Sequence, residues 1–265
     1  MTEDQIDNIE SYFDSTYDFW VNIYGYQQKW NEFNSIHQRE KHALKLIEKE
    51  RKGTVVDIGC GSGHALIKIK RLGFEKVIGI DISTKLTLVA RELAHRAGYE
   101  QDIEVIRSDA RSIPQIADES VDVIIALGVI EHLEEDMALL KEANRILAPG
   151  GKLVIQTRNY PCINTRVREL IKKILPGHDK PIWYREHWPS KICCNLKKAG
   201  FELEERRYSH YYPLFPFNLI PGLNKLIKPF NNFLSQKAEI FANSAISYLF
   251  ASMYIAKARK VGLPE

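Results

Sequence analysis

Apolar positions are distributed along this chain in two textures. Residues 4 to 50 read as helical and rich in aromatics, with Tyr12, Phe13, Tyr17, Phe19, Trp20, Tyr24, Tyr26 and Trp30. Between Ser35 and Glu50, Ile36, Leu44 and Ile47 stand among many charges, the pattern of an amphipathic helix. Arg51-Lys52-Gly53 closes it, because basic side chains followed by glycine suit the carbonyl-rich end of a helix. After Gly53 short apolar runs alternate with helical segments. TVVDIG, KVIGIDI, IEVIRSD, VDVIIALG and KLVIQTRN read as strands. HALIKIKRLG, TKLTLVARELAHRAG and DMALLKEANRIL read as helices between them. These strands run apolar without polar alternation, so both of their faces are covered. That implies a parallel sheet with helices on either side, a doubly wound α/β arrangement whose ligands sit beyond the carboxyl ends of the strands.

A polar, proline-containing stretch from Tyr160 to Pro189 follows, then a helix SKICCNLKKAG and a strand FELEERRYSHYY. Four prolines, Pro213, Pro216, Pro221 and Pro229, mark the next segment. Ala238 to Ala256 is apolar enough to raise the question of a membrane span. Glu239, Asn243 and several serines interrupt it, and a helix leading into a final buried strand is the expected reading.

Composition narrows this picture only modestly. The 265 residues are 45% hydrophobic and 27% charged, an ordinary globular balance with enough chain for a sizeable core. The N-terminus is acidic and lacks the basic and apolar regions of a signal peptide. Cys60, Cys162, Cys193 and Cys194 show no paired CxxC spacing, so a reduced, cytoplasmic setting and no metal site are expected. The formal net charge of +3 is unevenly placed: fourteen Lys/Arg stand against six Asp/Glu between Arg158 and Pro229. This is either a solvated basic face or a surface that meets something anionic, such as a phosphate, a carboxylate or a lipid. No nucleic-acid module accompanies it.

The chemistry begins at the end of the first strand, with Asp57-Ile58-Gly59-Cys60-Gly61-Ser62-Gly63. Glycines at alternate positions allow a tight turn and let a ligand approach the main chain. A dinucleotide would also suit such a turn, but its fingerprint is GxGxxG rather than GxGxG. Asp81 ends the second strand, where a carboxylate can accept from both ribose hydroxyls of a nucleoside; a carboxylate in a helix N-cap region is the lesser alternative. Asp109 ends the third strand, placed to take the exocyclic amine of adenine. Val129-Ile130-Glu131-His132-Leu133 follows the fourth strand.

Taken in order, VVDIGCGSG, GIDIS, SDARSIP, ALGVIEHL and RILAPGGKLVIQTRN resemble the class I S-adenosylmethionine-dependent methyltransferases of small-molecule type over roughly residues 36 to 210. Within that family the chain is similar to the O-methyltransferases of ubiquinone biosynthesis. The resemblance implies a Rossmann-like, mostly parallel sheet of seven strands with the last antiparallel. It also implies a single domain, with an N-terminal helical lid over residues 1–35 and an insertion at 213–246 over the acceptor site. S-adenosylmethionine is the implied cofactor. Gly59, Cys60, Gly61 and Gly63 would pass its methionine end over their backbone, and Asp57 would help hold the ammonium group. Asp81 with Ile82 would bind the ribose, Asp109 with Ala110 the adenine, and the Leu127-Gly128 main chain the methionyl part. Pro149-Gly150-Gly151 would form a turn that touches no ligand.

Methyl transfer is an in-line displacement, so the site must align nucleophile and methyl group and exclude water. A hydroxyl acceptor is helped by a base, for which histidine has a suitable pKa. His132, His187 and His210 are the candidates, with His132 and His187 preferred; packing roles suit them equally. The expected acceptor is a small molecule methylated on oxygen. An anionic lipid or lipid-linked sugar at a membrane surface is the alternative. An NAD-dependent oxidoreductase and a non-catalytic cofactor-binding module are further alternatives, and a monomer or homodimer is expected.

Overall fold

A computed structural model describes residues 3–24, 35–163, 165–167, 170, 185–211 and 245–262. Seven strands form one sheet in the order β3-β2-β1-β4-β5-β7-β6. They are β1 (Thr54–Ile58), β2 (Lys76–Asp81), β3 (Ile103–Arg107), β4 (Val121–Leu127), β5 (Leu147–Arg158), β6 (Phe201–Tyr211) and β7 (Ala251–Lys260). The first five pair in parallel, and β7 runs antiparallel between β5 and β6. Strand order reverses between β1 and β4, and each of these strands runs into a glycine-bearing turn, Gly59 to Gly63 after β1 and Gly128 after β4. Open α/β sheets form their ligand crevice at such a reversal.

The apolar runs become strands because helices cover both faces. Val55, Val56 and Ile58 of β1 are wholly buried. Each such side chain contributes about 1.5–3 kcal/mol on leaving water. Alternate residues face two cores: Val56, Ile58, Ile124 and Ile155 on one side, Val55, Val77, Ile125 and Val154 on the other. The covering helices are α4 (His64–Leu72), α5 (Thr84–Arg96), α6 (Asp136–Ile146) and α7 (Pro189–Lys198), with α3 (Ser35–Ile47) across β4 to β7. Lys257 of β7 fixes α3, donating to the Leu46 carbonyl at 3.0 Å and to Glu50 Oε1 at 2.8 Å. Helix stops and starts follow local chemistry. Gly73 ends α4 in the left-handed region, and the buried Ser83 caps α5 by accepting from the Leu86 amide.

Within the aromatic N-terminal stretch the described residues form α1 (Glu3–Ser15) and α2 (Tyr17–Tyr24). The apolar C-terminal stretch divides into α8 (Ala245–Phe250) and β7. Among the described residues no helix is long and apolar enough to cross a membrane. Asp136 to Ile146 is helical as the pattern implies, whereas the EHL segment is a single 3-10 turn, Ile130–His132. All but the last two residues of the insertion expected at 213–246 lie outside the described residues.

Candidate functional site

The turn after β1 is built by two hydrogen bonds to one acceptor. Gly59 and Cys60 both donate to the Ile80 carbonyl, at 2.7 and 3.0 Å, which draws the turn over the end of β2. Its three glycines then serve three different ends. A Cβ on Gly59 would lie 2.3 Å from Val129 Cγ2, so Gly59 admits the β4 turn. A Cβ on Gly63 would lie 2.8 Å from Ala90 Cβ, so Gly63 lets α4 approach α5. At Gly61, with φ +53°, nothing lies within 4 Å, and its backbone borders open space. Of the three, Gly61 is the one where an added side chain would project into open space. Cys60 turns its side chain inward: its Sγ would stand 2.8 Å from a Cβ on Gly79, and burial pushes its thiol up.

Asp81 reaches across to this turn. Its Oδ2 accepts from the Gly61 amide at 2.8 Å and its Oδ1 from the Ser83 amide at 2.9 Å. Burial raises its pKa, these amide bonds together with that from Ile82 oppose the rise, and Asp14 adds to it. Asp57, one strand away, is buried at 3% exposure. Desolvation, then the nearby Glu40, push its carboxyl up to about 8 against the pull of Arg39; Asp81 adds to the rise.

Arg39 of α3 is a residue that the sequence pattern did not single out. Its Nη1 lies 2.3 Å from where a Cβ on Gly128 would stand, and Glu131 Oε1 is 3.5 Å from that point. Gly128, with φ +77°, is thus the opening through which a guanidinium reaches the end of β4. Glu131 is buried, and burial raises its carboxyl against the influence of Arg158, Arg39 and His187. The only sequence signal for Arg39 is its place on an amphipathic helix, which many solvent-facing arginines share.

Asp109 occupies the tip of β3, but its carboxylate is already engaged. Arg111 donates to it from its amide at 2.8 Å and from Nε and Nη2 at 3.0 and 2.5 Å. Burial alone would raise Asp109; the bonds from Arg111 outweigh it and hold the carboxyl below its usual range. Ala110 packs against the core beside it, and the Ile82 carbonyl accepts from Arg107 at 3.3 Å.

The histidines separate clearly. His187 is 2% exposed; Nδ1 meets Thr157 Oγ1 at 2.8 Å and Nε2 meets Asp136 Oδ1 at 3.0 Å. Asp136 also accepts from Arg185 and from Asn195 Nδ2 at 2.9 Å. With both ring nitrogens held inside the fold, His187 has the geometry of a positioning residue and none left for a substrate proton. His132 lies in the 3-10 turn next to Glu131, half-buried, its ring edge-on to Phe13 of α1 at 5.6 Å. The side chain of His210 lies outside the described residues. Among the described residues no group of three His, Cys, Asp or Glu is arranged to hold a metal. Gly150, with φ +79°, turns the chain within β5, and a Cβ on Gly151 would meet the Ala148 and Asp122 carbonyl oxygens.

A family model described as a methyltransferase domain matches residues 56–155. The chain is 28% identical over 193 residues to a ubiquinone biosynthesis O-methyltransferase of Xanthomonas euvesicatoria, covering 66% of this chain and 77% of that protein. It is 29% identical over 205 residues to a ubiquinone biosynthesis O-methyltransferase of Coxiella burnetii, covering 71% and 82%. In structure it is similar to the magnesium protoporphyrin IX methyltransferase of Synechocystis with bound SAH, with TM-score 0.66 and 18% identity over 95% of this chain and 98% of that one. It is also similar to the [4+2]-cyclase SpnF, with TM-score 0.64 and 18% identity over 97% of both chains. The shared fold therefore accommodates more than one reaction, and activity rests on the site.

Proposed function

We propose that this chain, a class I S-adenosylmethionine-dependent methyltransferase, methylates a small-molecule acceptor on oxygen. The observation that carries the donor half is the meeting of Gly61 and Asp81, an open backbone face beside a buried carboxylate. The residues fit an adenosyl group bearing an amino acid. Asp81 accepts from the ribose hydroxyls beside Ile82, and Asp109 shares its carboxylate between Arg111 and the adenine amine, with Ala110 alongside. Asp57 takes the ammonium group and Arg39 the carboxylate, while the backbone of Gly59, Cys60, Gly61, Leu127 and Gly128 lines the methionine end. Gly63 supports the turn without touching ligand. When bound, the donor supplies a methyl group on a sulfonium and leaves as a neutral thioether.

The chain's own part is to hold the acceptor oxygen in line and to keep water out. His132, at the mouth of the β4 turn, takes the hydroxyl proton, as a neutral imidazole can at ordinary pH. His187 fixes the segment after Arg185 against α6. The relatives' designation as O-methyltransferases supports oxygen as the target. Calorimetry should show binding of S-adenosylhomocysteine and none of NAD. Labelled S-adenosylmethionine, offered with phenols, quinone precursors, sugars and lipids, should give one product heavier by a single CH2 unit. Methyl transfer to bulk RNA or protein alone would overturn the reading.

Exposed apolar side chains in the segments after β5 favour a second form of the acceptor, one held at a lipid surface. Trp188 is 47% exposed, Ile163 41% and Leu170 59%. Trp188 packs on Tyr160 at 5.0 Å, with the Arg166 guanidinium 4.2 Å above that ring. Aromatic side chains beside a cation suit the boundary between acyl chains and anionic headgroups. Sedimentation with liposomes that is indifferent to anionic lipid would remove this version.

A further inference from the structure

The donor site does not by itself account for the contacts that bind α1 to the turn between β2 and α5. Asp14 Oδ1 accepts from Ser83 Oγ at 2.5 Å and from the Lys85 amide at 3.1 Å, and Lys85 Nζ donates to the Asp14 carbonyl at 3.0 Å. One helical turn earlier, Glu10 accepts from Thr84 Oγ1 at 2.9 Å and from Arg107 Nε and Nη2 at 3.1 and 2.6 Å. Phe13, between them in sequence, stands edge-on to His132 in the turn after β4, with ring centroids 5.6 Å apart. Helix α1 therefore bridges the tip of β2 and the turn after β4, the two edges between which the donor is placed.

Ser83 makes this bridge more than a surface contact. It is wholly buried, its amide donates to Asp81 Oδ1 at 2.9 Å, and its Oγ accepts from the Leu86 amide at 3.1 Å. A hydroxyl has one proton to give, and here it goes to Asp14. Asp14, Ser83, Asp81 and Gly61 thus form one hydrogen-bonded chain from the first helix to the glycine turn. Isolated exposed ion pairs contribute little, but a buried hydroxyl whose only acceptor is removed is left unsatisfied.

We propose that α1 is a clasp on the donor site: Asp14, acting through Ser83, positions Asp81, and release of the Asp14 and Glu10 contacts opens the path for donor entry and product exit. The proposal rests on the donor-site reading above. The clasp is partly ionic and partly exposed, so salt weakens it and quickens exchange. Trp20, whose ring lies 5.8 Å from Phe13, reports on it by fluorescence.

The test compares full-length wild type with Asp14→Ala, Asp14→Asn and Glu10→Gln. Stopped-flow fluorescence gives the S-adenosylhomocysteine off-rate across a salt series, and calorimetry gives the affinity for adenosine, which lacks the amino-acid end. Asp14→Ala should raise the off-rate by about tenfold and weaken adenosine by a similar factor, the size of one lost hydrogen bond to a charged group. Asp14→Asn keeps an acceptor oxygen and should restore both. Glu10→Gln should raise the off-rate and leave adenosine affinity unchanged, since it does not touch Ser83. Wild-type values in Asp14→Ala, or equal damage in Asp14→Ala and Asp14→Asn, overturn the positioning role. Should Asp14→Ala not fold, an unchanged, salt-independent off-rate in Glu10→Gln overturns the clasp. Wild type that binds no S-adenosylhomocysteine sinks the donor reading and the clasp together, whereas binding that the variants leave untouched sinks the clasp alone.

Discussion

Two carboxylates at the ends of adjacent parallel strands, Asp57 on β1 and Asp81 on β2, are both buried but differ in what surrounds them. Asp81 receives backbone amides on both oxygens, so its position is fixed before any ligand arrives. Removing it by Asp81→Ala takes away a charged acceptor and should cost about 1.5–3 kcal/mol, or roughly one to two orders of magnitude in S-adenosylhomocysteine affinity, with the fold retained. Unchanged affinity in calorimetry would sink its assignment. For Asp57, burial first and then the nearby Glu40 carboxylate push the pKa from 3.8 up to about 8. Between those values the native state binds a proton that the unfolded chain lacks. This contribution to stability is therefore full at low pH and is lost as pH rises toward about 8. A cationic ammonium group reverses the balance by favouring the ionised form. The melting temperature of ligand-free protein should fall from about pH 5 to about pH 9, and Asp57→Asn should flatten that fall. The stabilisation by S-adenosylhomocysteine should grow over the same interval. A fall of equal slope in Asp57→Asn would assign it to other groups.

At the scale of elements, the sequence was legible wherever a segment's partners lie within it or in the next one. Apolar runs bounded by glycine or polar turns gave β1 to β5, and 3.6-residue spacing gave α4 to α6, because covered strands and half-covered helices differ in period. The glycine turn was legible as a turn but not in its division of labour. Val129 and Ala90, the atoms that Gly59 and Gly63 make room for, lie 70 and 27 positions further along the chain. This division is testable. Gly61→Val places a side chain in open space at φ +53° and should abolish S-adenosylhomocysteine binding, with a modest strain of about 1–2 kcal/mol. Gly63→Ala drives a methyl against the α5 backbone, 3.0 Å from Ala90 Cα. It should lower stability by about 1–3 kcal/mol and leave the affinity of the folded fraction near wild type. Loss of binding in Gly63→Ala without a lowered melting temperature would return Gly63 to the ligand.

Across the whole molecule, the turn after β4 and the segment around His187 are joined by a polar network whose members no spacing rule connects. Thr157 at the end of β5, His187 after it, Asp136 opening α6 and Asn195 in α7 meet only in three dimensions, at sequence separations of 30, 51 and 59. That is why His187 looked, from its neighbours Glu186 and Trp188 alone, as suitable for catalysis as for packing. Asp136 is the hinge of the network. Its own burial would raise its pKa, but the hydrogen bond from His187 and the charges of His187, Arg185 and Lys191 prevail and hold it below its usual range. Arg185 further donates from its amide to the Glu131 carbonyl at 2.8 Å and from its guanidinium to the Leu133 carbonyl at 2.6 Å, so the same network braces the turn that carries His132. Asp136→Ala removes the carboxylate that both the Arg185 guanidinium and the His187 imidazole bond, a defect worth about 3–5 kcal/mol when buried. Denaturation should show that loss. Because the glycine turn and Asp81 lie on the other side of β4, S-adenosylhomocysteine affinity measured well below the melting temperature should stay near wild type, while kcat falls as the His132 turn loosens. A double-mutant cycle with His187→Gln should give a coupling of about 1–3 kcal/mol in stability. Additive effects would separate the two residues, and a kcat that survived Asp136→Ala would detach the brace from the proton transfer proposed at His132.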